Sequence, residues 1–313
     1  MSNSIEMTDF ITHPADVFLS HFDTILERNG KPPQLPIRFL PALNSKIWGL
    51  QKKTLTIVGG RPSQGKSTLL LNLAYDFAQQ GKVVYFFSFE MSKEVCVERL
   101  FCSACNTDNW LVRTGEIGRY DLPNSKFNEI RNKFYESLGK QRFVLIESIG
   151  RELPELEKLM NMFEMKPDVV FIDYGNMIKE KPRVTRKEVL DEYIRGLRAL
   201  AIRNDFSAIM GAQINRKTHE GNKIREPQLW ELKDSGELEQ VADMVFLLHW
   251  PYYYDKTNEE GKNTYILNVA KNREGRTGKI ECLFFPQFYK ISEEVPTITF
   301  GNKRMGGQCL KNI

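Results

Sequence analysis

The stretch LTIVGGRPSQGKSTLLLNLA, residues 55 to 74, decides the fold of this chain. An apolar run from Leu55 to Val58 precedes a glycine-bearing loop, and an apolar run at helical spacing follows it. The spacing G-x-x-x-x-G-K-[ST] lets successive backbone N–H groups point at phosphate oxygens, and a strand before it and a helix after it are the context this motif requires. The residues predicted to bind a nucleoside triphosphate are Gly60, Arg61, Pro62, Ser63, Gln64, Gly65, Lys66, Ser67 and Thr68.

Three polar side chains come at or just after the ends of other apolar runs. Glu90 follows residues 82 to 89, Asp173 ends residues 168 to 173, and Gln213 ends residues 207 to 213. The carboxyl ends of parallel strands meet at the edge of the sheet where ligands bind. We therefore expect Glu90 to polarise an attacking water and Asp173 to hold Mg²⁺ together with Ser67, and Gln213 to sense the γ-phosphate. An ordinary carboxylate at a strand end is the alternative for Glu90.

The runs without polar alternation are typical of a parallel sheet covered on both faces. With the helical runs between them they predict an α/β fold, a P-loop NTPase core whose mostly parallel, twisted sheet is flanked by helices. Residues 265–270 and 280–285 read as a hairpin whose tip presents Lys271, Arg273 and Arg276. Such cations are usually solvated, and to contact phosphate they would need the site of another subunit, since their own site lies elsewhere.

Three segments divide the chain of 313 residues. Residues 1–36 carry an amphipathic helix, Ala15 to Asn29, which either packs on its own domain or docks on a neighbouring subunit. Residues 37–299 form the catalytic domain, and residues 300–313 form a mobile tail.

A net charge of +4 requires any nucleic-acid binding to come from local patches. The five cysteines and the absence of an export signal or membrane-spanning run predict a cytoplasmic, reducing location with no membrane contact.

Two further features bear on the chemistry of the chain. Cys96, Cys102 and Cys105 lie on one predicted helix, and buried small side chains are favoured over a metal or redox site because no second pair completes a tetrahedron. The segment from Ile214 to Glu231 is polar and basic with little to bury, so it can report the nucleotide state to a bound polymer. Its candidate nucleic-acid residues are Arg216, Lys217, Lys223 and Arg225.

The order of motifs resembles the RecA-like motor domain of DnaB-type replicative DNA helicases. The resemblance covers about Ile37 to Phe288. The matching strings are GGRPSQGKST, FFSFEMS, VRTGEIG, VVFIDYGNMI, AQINR, ELKDSGELEQVADMVFLLHW and AKNREGRTG.

This resemblance implies roles for individual residues. Lys66 and Ser67 would bind phosphate and Mg²⁺, Glu90 would activate water, Asp173 would hold the metal shell and Gln213 would sense the γ-phosphate. Lys271 and Arg273 would reach the ATP of the adjacent subunit. A loop that includes Lys233, Asp234 and Gly236 would contact the backbone of single-stranded DNA, although the family commonly has Arg and Glu at the first two positions.

The resemblance also implies that Ala15 to Asn29 is the helix that docks on the next subunit of a ring. Family members usually carry a helical N-terminal domain before it, for which this chain has no room, so we expect a motor without a collar. The expected function is an ATP- and Mg²⁺-dependent helicase that forms a homo-oligomeric, hexameric ring on single-stranded DNA, with primase or a helicase loader as possible partners. The alternatives are a RecA- or KaiC-like ATPase that does not unwind DNA and an accessory ATP-binding partner of a full-length helicase.

Overall fold

The structure is a computed structural model that describes residues 29–118, 124–139, 142–147, 152–173, 184–214, 219–220, 223–232 and 236–298, with positions 14, 15, 18, 22, 25 and 26. Most of the predicted helix from Ala15 to Asn29 and the whole tail 300–313 lie outside these residues. Positions 15, 18, 22, 25 and 26 of that helix are helical, whereas Asn29 lies in a turn, and the side chains of Phe18 and Leu26 are 61% and 59% exposed. No described helix is both long enough and apolar enough to cross a bilayer.

A nine-stranded sheet forms the centre of the domain, in the order β11-β10-β9-β8-β1-β5-β4-β2-β3. The strands from β8 to β3 run parallel, whereas β9, β10 and β11 are added antiparallel at one side. The bounds are β1 Leu55–Gly60, β2 Val84–Ser88, β3 Phe143–Glu147, β4 Val169–Asp173, β5 Ser207–Gln213, β8 Met244–His249, β9 Thr264–Asn272, β10 Gly278–Phe285 and β11 Lys290–Ser292. A separate two-stranded ribbon pairs β6 His219–Glu220 with β7 Lys223–Ile224.

Helices cover both faces of this sheet. They are α1 Pro41–Ile47, α2 Lys66–Gln79, α3 Lys93–Ala104, α4 Asn109–Thr114, α5 Asn124–Gly139, α6 Leu153–Met162, α7 Arg186–Arg203 and α8 Gly236–Val241. One apolar core lies between the sheet and α1, α2 and α3, and a second lies between the sheet and α6, α7 and α8. Because strands β1, β2 and β4 are buried along their whole length, the apolar runs read from the sequence correspond to strands covered twice.

The predicted α/β fold with a mostly parallel sheet is confirmed. Two details differ from the expectation. Lys271 lies within β9 rather than at the hairpin tip, because the strand continues to Asn272. The segment before Glu231 is not irregular throughout, since it contains the β6–β7 ribbon and ends in a short 3₁₀ helix, Leu229–Glu231.

The cysteines of α3 and its carboxyl end are mostly buried, as the sequence favoured. Cys96 and Cys102 are buried, Cys105 is partly buried, and all three are free thiols. Burial raises the pKa of the Cys102 thiol to about 12, which keeps it protonated. Among the described residues no cluster of three or more metal-ligating side chains was found.

Candidate active site

The phosphate loop connects β1 to α2 at the carboxyl edge of the sheet. Gly65 takes a left-handed backbone conformation, φ 80°, and α2 begins at the next residue, so the amino end of a 14-residue helix opens onto the loop. The Lys66 ammonium group donates hydrogen bonds to the carbonyl oxygens of Gly60, at 2.9 Å, and Arg61, at 3.1 Å. These bonds fold the lysine over the loop, where phosphate oxygens would compete for it.

A cleft of about 380 Å³ lies over this loop. Its wall includes the predicted Lys66, Ser67, Glu90 and Gln213, which three different strand ends and the start of α2 bring together. Of the other predicted loop residues, Pro62, Ser63, Gly65 and Thr68 also line the cleft. Chain segments almost 150 residues apart therefore meet at one edge, as the strand-end rule predicted.

Asp173 lies beneath this cleft at the end of β4. It pairs in register with Ser88 of β2, and its carbonyl oxygen accepts a hydrogen bond from the Phe89 N–H at 2.7 Å. The residue is completely buried, and neither carboxylate oxygen has a hydrogen-bonding partner among the described residues. Burial raises the pKa of Asp173 to about 6, and Glu90 adds to this, while Ser67, Lys66 and Arg99 pull it down. A buried, unpaired carboxylate beside a hydroxyl is a donor set that a divalent cation satisfies.

Burial shifts the pKa of Lys66 in the opposite direction from that of Asp173. Burial lowers the pKa of its ammonium group to about 8, against the opposing attraction of Asp173 and Glu90. A phosphate group placed on the loop would restore the pKa of Lys66, because an adjacent anion favours the charged form. The lysine and the aspartate are therefore both destabilised in their charged forms without a ligand.

Gln213 lies next to the loop through the sheet itself. It is opposite Gly60 in the parallel pairing of β5 with β1, and the next residue, Ile214, donates its N–H to the Gly60 carbonyl at 3.3 Å. Beyond it, Ile214 forms an isolated bridge with Leu232. A change at the loop can thus pass directly to the chain that follows β5.

Arg61 and Gln64 turn away from the cleft. Gln64 is 1% exposed, and its side-chain oxygen accepts a hydrogen bond from the Trp250 N–H at 2.7 Å. Arg61 is 7% exposed, and its guanidinium lies 3.8 Å from the Glu231 carboxylate. Both residues therefore attach the loop to neighbouring chain segments, and neither of them lines the cleft.

Sequence reasoning missed part of the cleft wall. Arg99 of α3 lines it, with its guanidinium 4.7 Å from the centre of the Tyr289 ring, and so do Phe284 and Pro286. Arg99 places a second cation near Glu90 and Asp173. The available signal was an arginine on the helix that follows Glu90; the aromatic residues, almost 200 positions later, gave no local signal.

Lys271 and Arg273 lie at the opposite, amino edge of the sheet. Val245 at the start of β8 pairs with Lys271, and the Arg273 N–H donates to the Asp243 carbonyl at 2.9 Å. The Leu55 N–H, at the beginning of β1, donates to the Asp243 carboxylate at 2.9 Å. The loop begins at the other end of β1, so one strand length, roughly 17 Å at about 3.3 Å per residue, separates these cations from it.

The candidate nucleic-acid residues are only partly described. Arg216, Lys217, Lys233 and Asp234 lie outside the described residues, and Lys223 and Gly236 are placed in β7 and at the start of α8. Arg225 pairs with Glu231, with 2.7 Å between the guanidinium and the carboxylate, and its guanidinium carbon lies 5.6 Å from the centre of the Trp230 ring. The segment expected to have little to bury is therefore anchored at its carboxyl end.

A glycine loop between a parallel strand and a helix, with a carboxylate at the end of β4, which is separated from β1 by the single strand β5, defines a P-loop NTPase of the RecA-like type. Residues 38–293 match the family DnaB-like helicase C terminal domain, so the chain belongs to that family. The resemblance read from the motifs is confirmed.

The curated relatives are replicative helicases. The chain is 28% identical over 286 residues to the Replicative DNA helicase DnaB of Geobacillus stearothermophilus, covering 88% of this chain and 61% of that protein. It is also 28% identical over 261 residues to a Probable replicative DNA helicase of Trieres chinensis, covering 81% of this chain and 56% of that protein. The chain thus spans about three fifths of the length of these relatives.

Solved structures share the fold. One of them, described as an ATPase domain, superposes with a TM-score of 0.78 at 22% identity, covering 91% of this chain and all of that domain. A DnaB-like replicative helicase, described with its interactions with primase, superposes with a TM-score of 0.76 at 23% identity, covering 90% of this chain and 67% of that one.

Proposed function

We propose that this chain is an ATP-dependent DNA helicase motor that forms a ring, translocates on single-stranded DNA and hydrolyses ATP between subunits. One observation carries the proposal. The phosphate-binding, metal-binding and water-activating residues share one edge of the sheet, while Lys271 and Arg273 lie at the other. No single copy can bring both sets to one nucleotide, but two copies packed edge to edge can.

Each residue of the cleft has a separate role in hydrolysis. Lys66 and the N–H groups at the start of α2 bind the phosphates, and Glu90, exposed at the cleft wall, accepts a proton from the attacking water. Gln213 contacts the γ-phosphate or its water without adding charge. Ser67 and the unpaired Asp173 fit Mg²⁺, which when bound would neutralise phosphate charge.

The neighbouring subunit supplies the remaining positive charge. Lys271 and Arg273 hydrogen-bond to backbone carbonyls at the end of α8, and 41% of the Arg273 side chain is exposed. An arginine with this exposure can leave its local partners for a phosphate at a subunit interface. The exposed side chains of Phe18, Phe22, Ile25 and Leu26 fit the proposal that their helix docks on the next subunit.

Nucleotide state would reach the DNA through the chain after β5. Hydrolysis removes the group that Gln213 contacts, and Ile214 and Leu232 transmit the change to the basic segment around Arg225 and Lys233. Primase is a proposed partner because one of the solved structures is described with its interactions with primase. A helicase loader and the hexamer are proposed from the resemblance of the motifs.

The test is ATP turnover and fork unwinding by the wild-type chain, with mass measured in ATP. We expect DNA-stimulated turnover, strand displacement and a ring-sized mass from the wild type. Lys66→Ala should lose turnover and strand displacement but remain folded and able to assemble with other subunits. Turnover stimulated by DNA without displacement of a strand would instead support a DNA-binding ATPase. Absence of turnover in the presence of single-stranded DNA would reject the motor.

A further inference from the structure

An exposed tryptophan stands where the proposed DNA path meets the nucleotide site. Trp230 lies in the 3₁₀ helix Leu229–Glu231 with 68% of its surface exposed, while Glu231 and Leu232 beside it are 4% and 7% exposed. Because the residues next to Trp230 are buried in the domain, Trp230 does not owe its exposure to a loose loop. A large ring exposed on an anchored segment offers an apolar face that a ligand or partner can cover.

The segment that carries this ring is fixed at several points. The Glu231 carboxylate accepts a hydrogen bond from the Arg225 guanidinium at 2.7 Å and from the Gln228 N–H at 3.2 Å. Its other side faces Arg61 of the phosphate loop at 3.8 Å. Leu232 bridges to Ile214, directly after Gln213. Trp230 is therefore held in one place relative to the nucleotide site.

The Arg225 guanidinium lies over the indole ring, with its carbon 5.6 Å from the ring centre. A cation over one face of an aromatic ring orients the ring and leaves its other face available. Two acidic residues flank the ring, and both are paired: Glu231 with Arg225, and Glu226 with Lys279 at 2.7 Å, so they add little repulsion toward an anionic ligand. A rigid aromatic face beside a cation is the arrangement by which proteins bind single-stranded nucleic acid without reading its sequence.

We propose that Trp230, oriented by Arg225, stacks on a nucleobase of the single-stranded DNA that the motor translocates. This inference rests on the proposed function and deepens it, because the role expected for the basic residues involves the phosphate backbone only. Stacking would add a contact to the DNA that does not depend on which of the four bases is present. Its position next to Leu232 would let the contact change when the nucleotide site changes.

The test compares two oligonucleotides of equal length, oligo(dT) and a chain of abasic sites, by fluorescence anisotropy with the full chain and a non-hydrolysable ATP analogue. The wild type should bind oligo(dT) more tightly than the abasic chain. Trp230→Ala should weaken oligo(dT) binding by about tenfold and bind the two oligonucleotides alike, while Trp230→Phe should retain most of the preference.

Trp48→Ala is the matched control, because Trp48 is 57% exposed and precedes β1 at the amino edge of the sheet. It should bind both oligonucleotides as the wild type does. The proposal is overturned if Trp230→Ala keeps the preference for bases, if it loses affinity equally for both oligonucleotides, or if its only change is a smaller mass. In each of these cases the wild type still binds DNA, so the proposed motor function stands and only the stacking proposal fails. A wild type that binds neither oligonucleotide would reject the motor function as well.

Discussion

The charged residues beside the two ends of β1 differ in how completely they are paired. At the carboxyl end, Asp173 is buried with neither oxygen paired among the described residues, and Lys66 hydrogen-bonds to backbone carbonyls. At the amino end, the Asp243 carboxylate accepts hydrogen bonds from the Arg198 guanidinium, at 2.9 and 3.1 Å, from Arg273, at 3.2 Å, and from the Leu55 N–H. The buried carboxylate is therefore unpaired among the described residues at one end and fully paired at the other.

This difference separates ligand-binding charges from structural ones. An unpaired buried charge costs stability, and such a site persists because a ligand offsets the cost when it binds. The Asp243 cluster needs no ligand, yet it includes Arg273, one of the two residues proposed to act on a neighbour's ATP. Arg273 must therefore exchange Asp243 for a phosphate, whereas Arg198 can remain with Asp243 throughout.

The largest effect is expected from Lys66→Ala, which removes the cation of the unsatisfied end. ATP turnover should fall by about a thousandfold, because the charge stabilises the phosphates most strongly in the transition state. Turnover assays at saturating ATP measure this loss. Lys53→Ala is the control, since Lys53 lies just ahead of β1 with its ammonium group near the exposed Asp205, and it should turn over ATP normally. Equal losses in both variants would contradict the assignment of Lys66.

Arg273→Ala and Arg198→Ala should separate the two roles at the satisfied end. Both remove a partner of Asp243, but only Arg273 is proposed to reach a neighbouring nucleotide. We expect Arg273→Ala to lower turnover by about a hundredfold and Arg198→Ala to lower the free energy of unfolding by about 1 kcal/mol with turnover retained. Turnover and thermal unfolding of each variant give the two readouts.

Mixed rings provide the control for this prediction. Lys66→Ala and Arg273→Ala subunits are each inactive alone, but at a mixed interface one supplies an intact loop and the other an intact Arg273. Turnover should therefore rise when the two variants are combined. If mixing restores nothing, Arg273 does not act across the interface.

Asp173→Asn and Asp243→Asn make the same chemical change at the two ends of the comparison. Without nucleotide, we expect Asp173→Asn to raise the free energy of unfolding by roughly 1–3 kcal/mol at pH 7.5, because it removes a buried unpaired charge and one pKa unit corresponds to about 1.4 kcal/mol. Asp243→Asn should lower the free energy of unfolding by about 1–3 kcal/mol, since Arg198 and Arg273 lose their anion. Denaturant unfolding of both variants measures the sign.

The size of the Asp173 effect should depend on pH. The pKa of Asp173 rises from 3.8 to about 6 on folding, so between these values the folded chain holds a proton that the unfolded chain has released. Its contribution to stability therefore falls as the pH rises through this window, and the full cost is present above pH 6. The gain from Asp173→Asn should shrink at pH 5, and a gain that is constant from pH 5 to pH 7.5 would contradict the assignment.

Local pattern was enough to predict the site residues that the chain places at strand ends. The loop at residues 60 to 68, Glu90, Asp173 and Gln213 each follow a buried apolar run, and parallel strands bring such ends to one edge. The sequence also indicated that the hairpin cations lie away from their own loop. These predictions needed only the positions of the strand ends and the parallel direction of the strands, which the apolar runs indicate.

Contacts between distant segments could not be predicted in this way. Arg99 meets Tyr289, and Arg61 turns inward to Glu231, across separations of 190 and 170 positions. Helical periodicity says that Arg99 lies on a helix but not which distant ring its guanidinium reaches. The polar composition of the basic segment indicated that it has little to bury, yet its Glu231 is buried. Two arginine partners, Arg61 and Arg225, make the burial of this charge tolerable.

The smallest effect concerns Glu231, which joins the phosphate loop to the DNA-binding segment. Glu231→Gln keeps the size of the side chain and an oxygen for the Gln228 N–H, but removes the charge that faces Arg61 and Arg225. DNA-stimulated ATP turnover should fall severalfold, and turnover without DNA should fall less, because the residue links two sites and touches no substrate. The ratio of the two rates is the measurement. Glu226→Gln, which breaks the exposed pair with Lys279 in the same segment, should leave that ratio unchanged. A Glu231→Gln protein whose two rates fall in proportion would show that Glu231 only stabilises the fold.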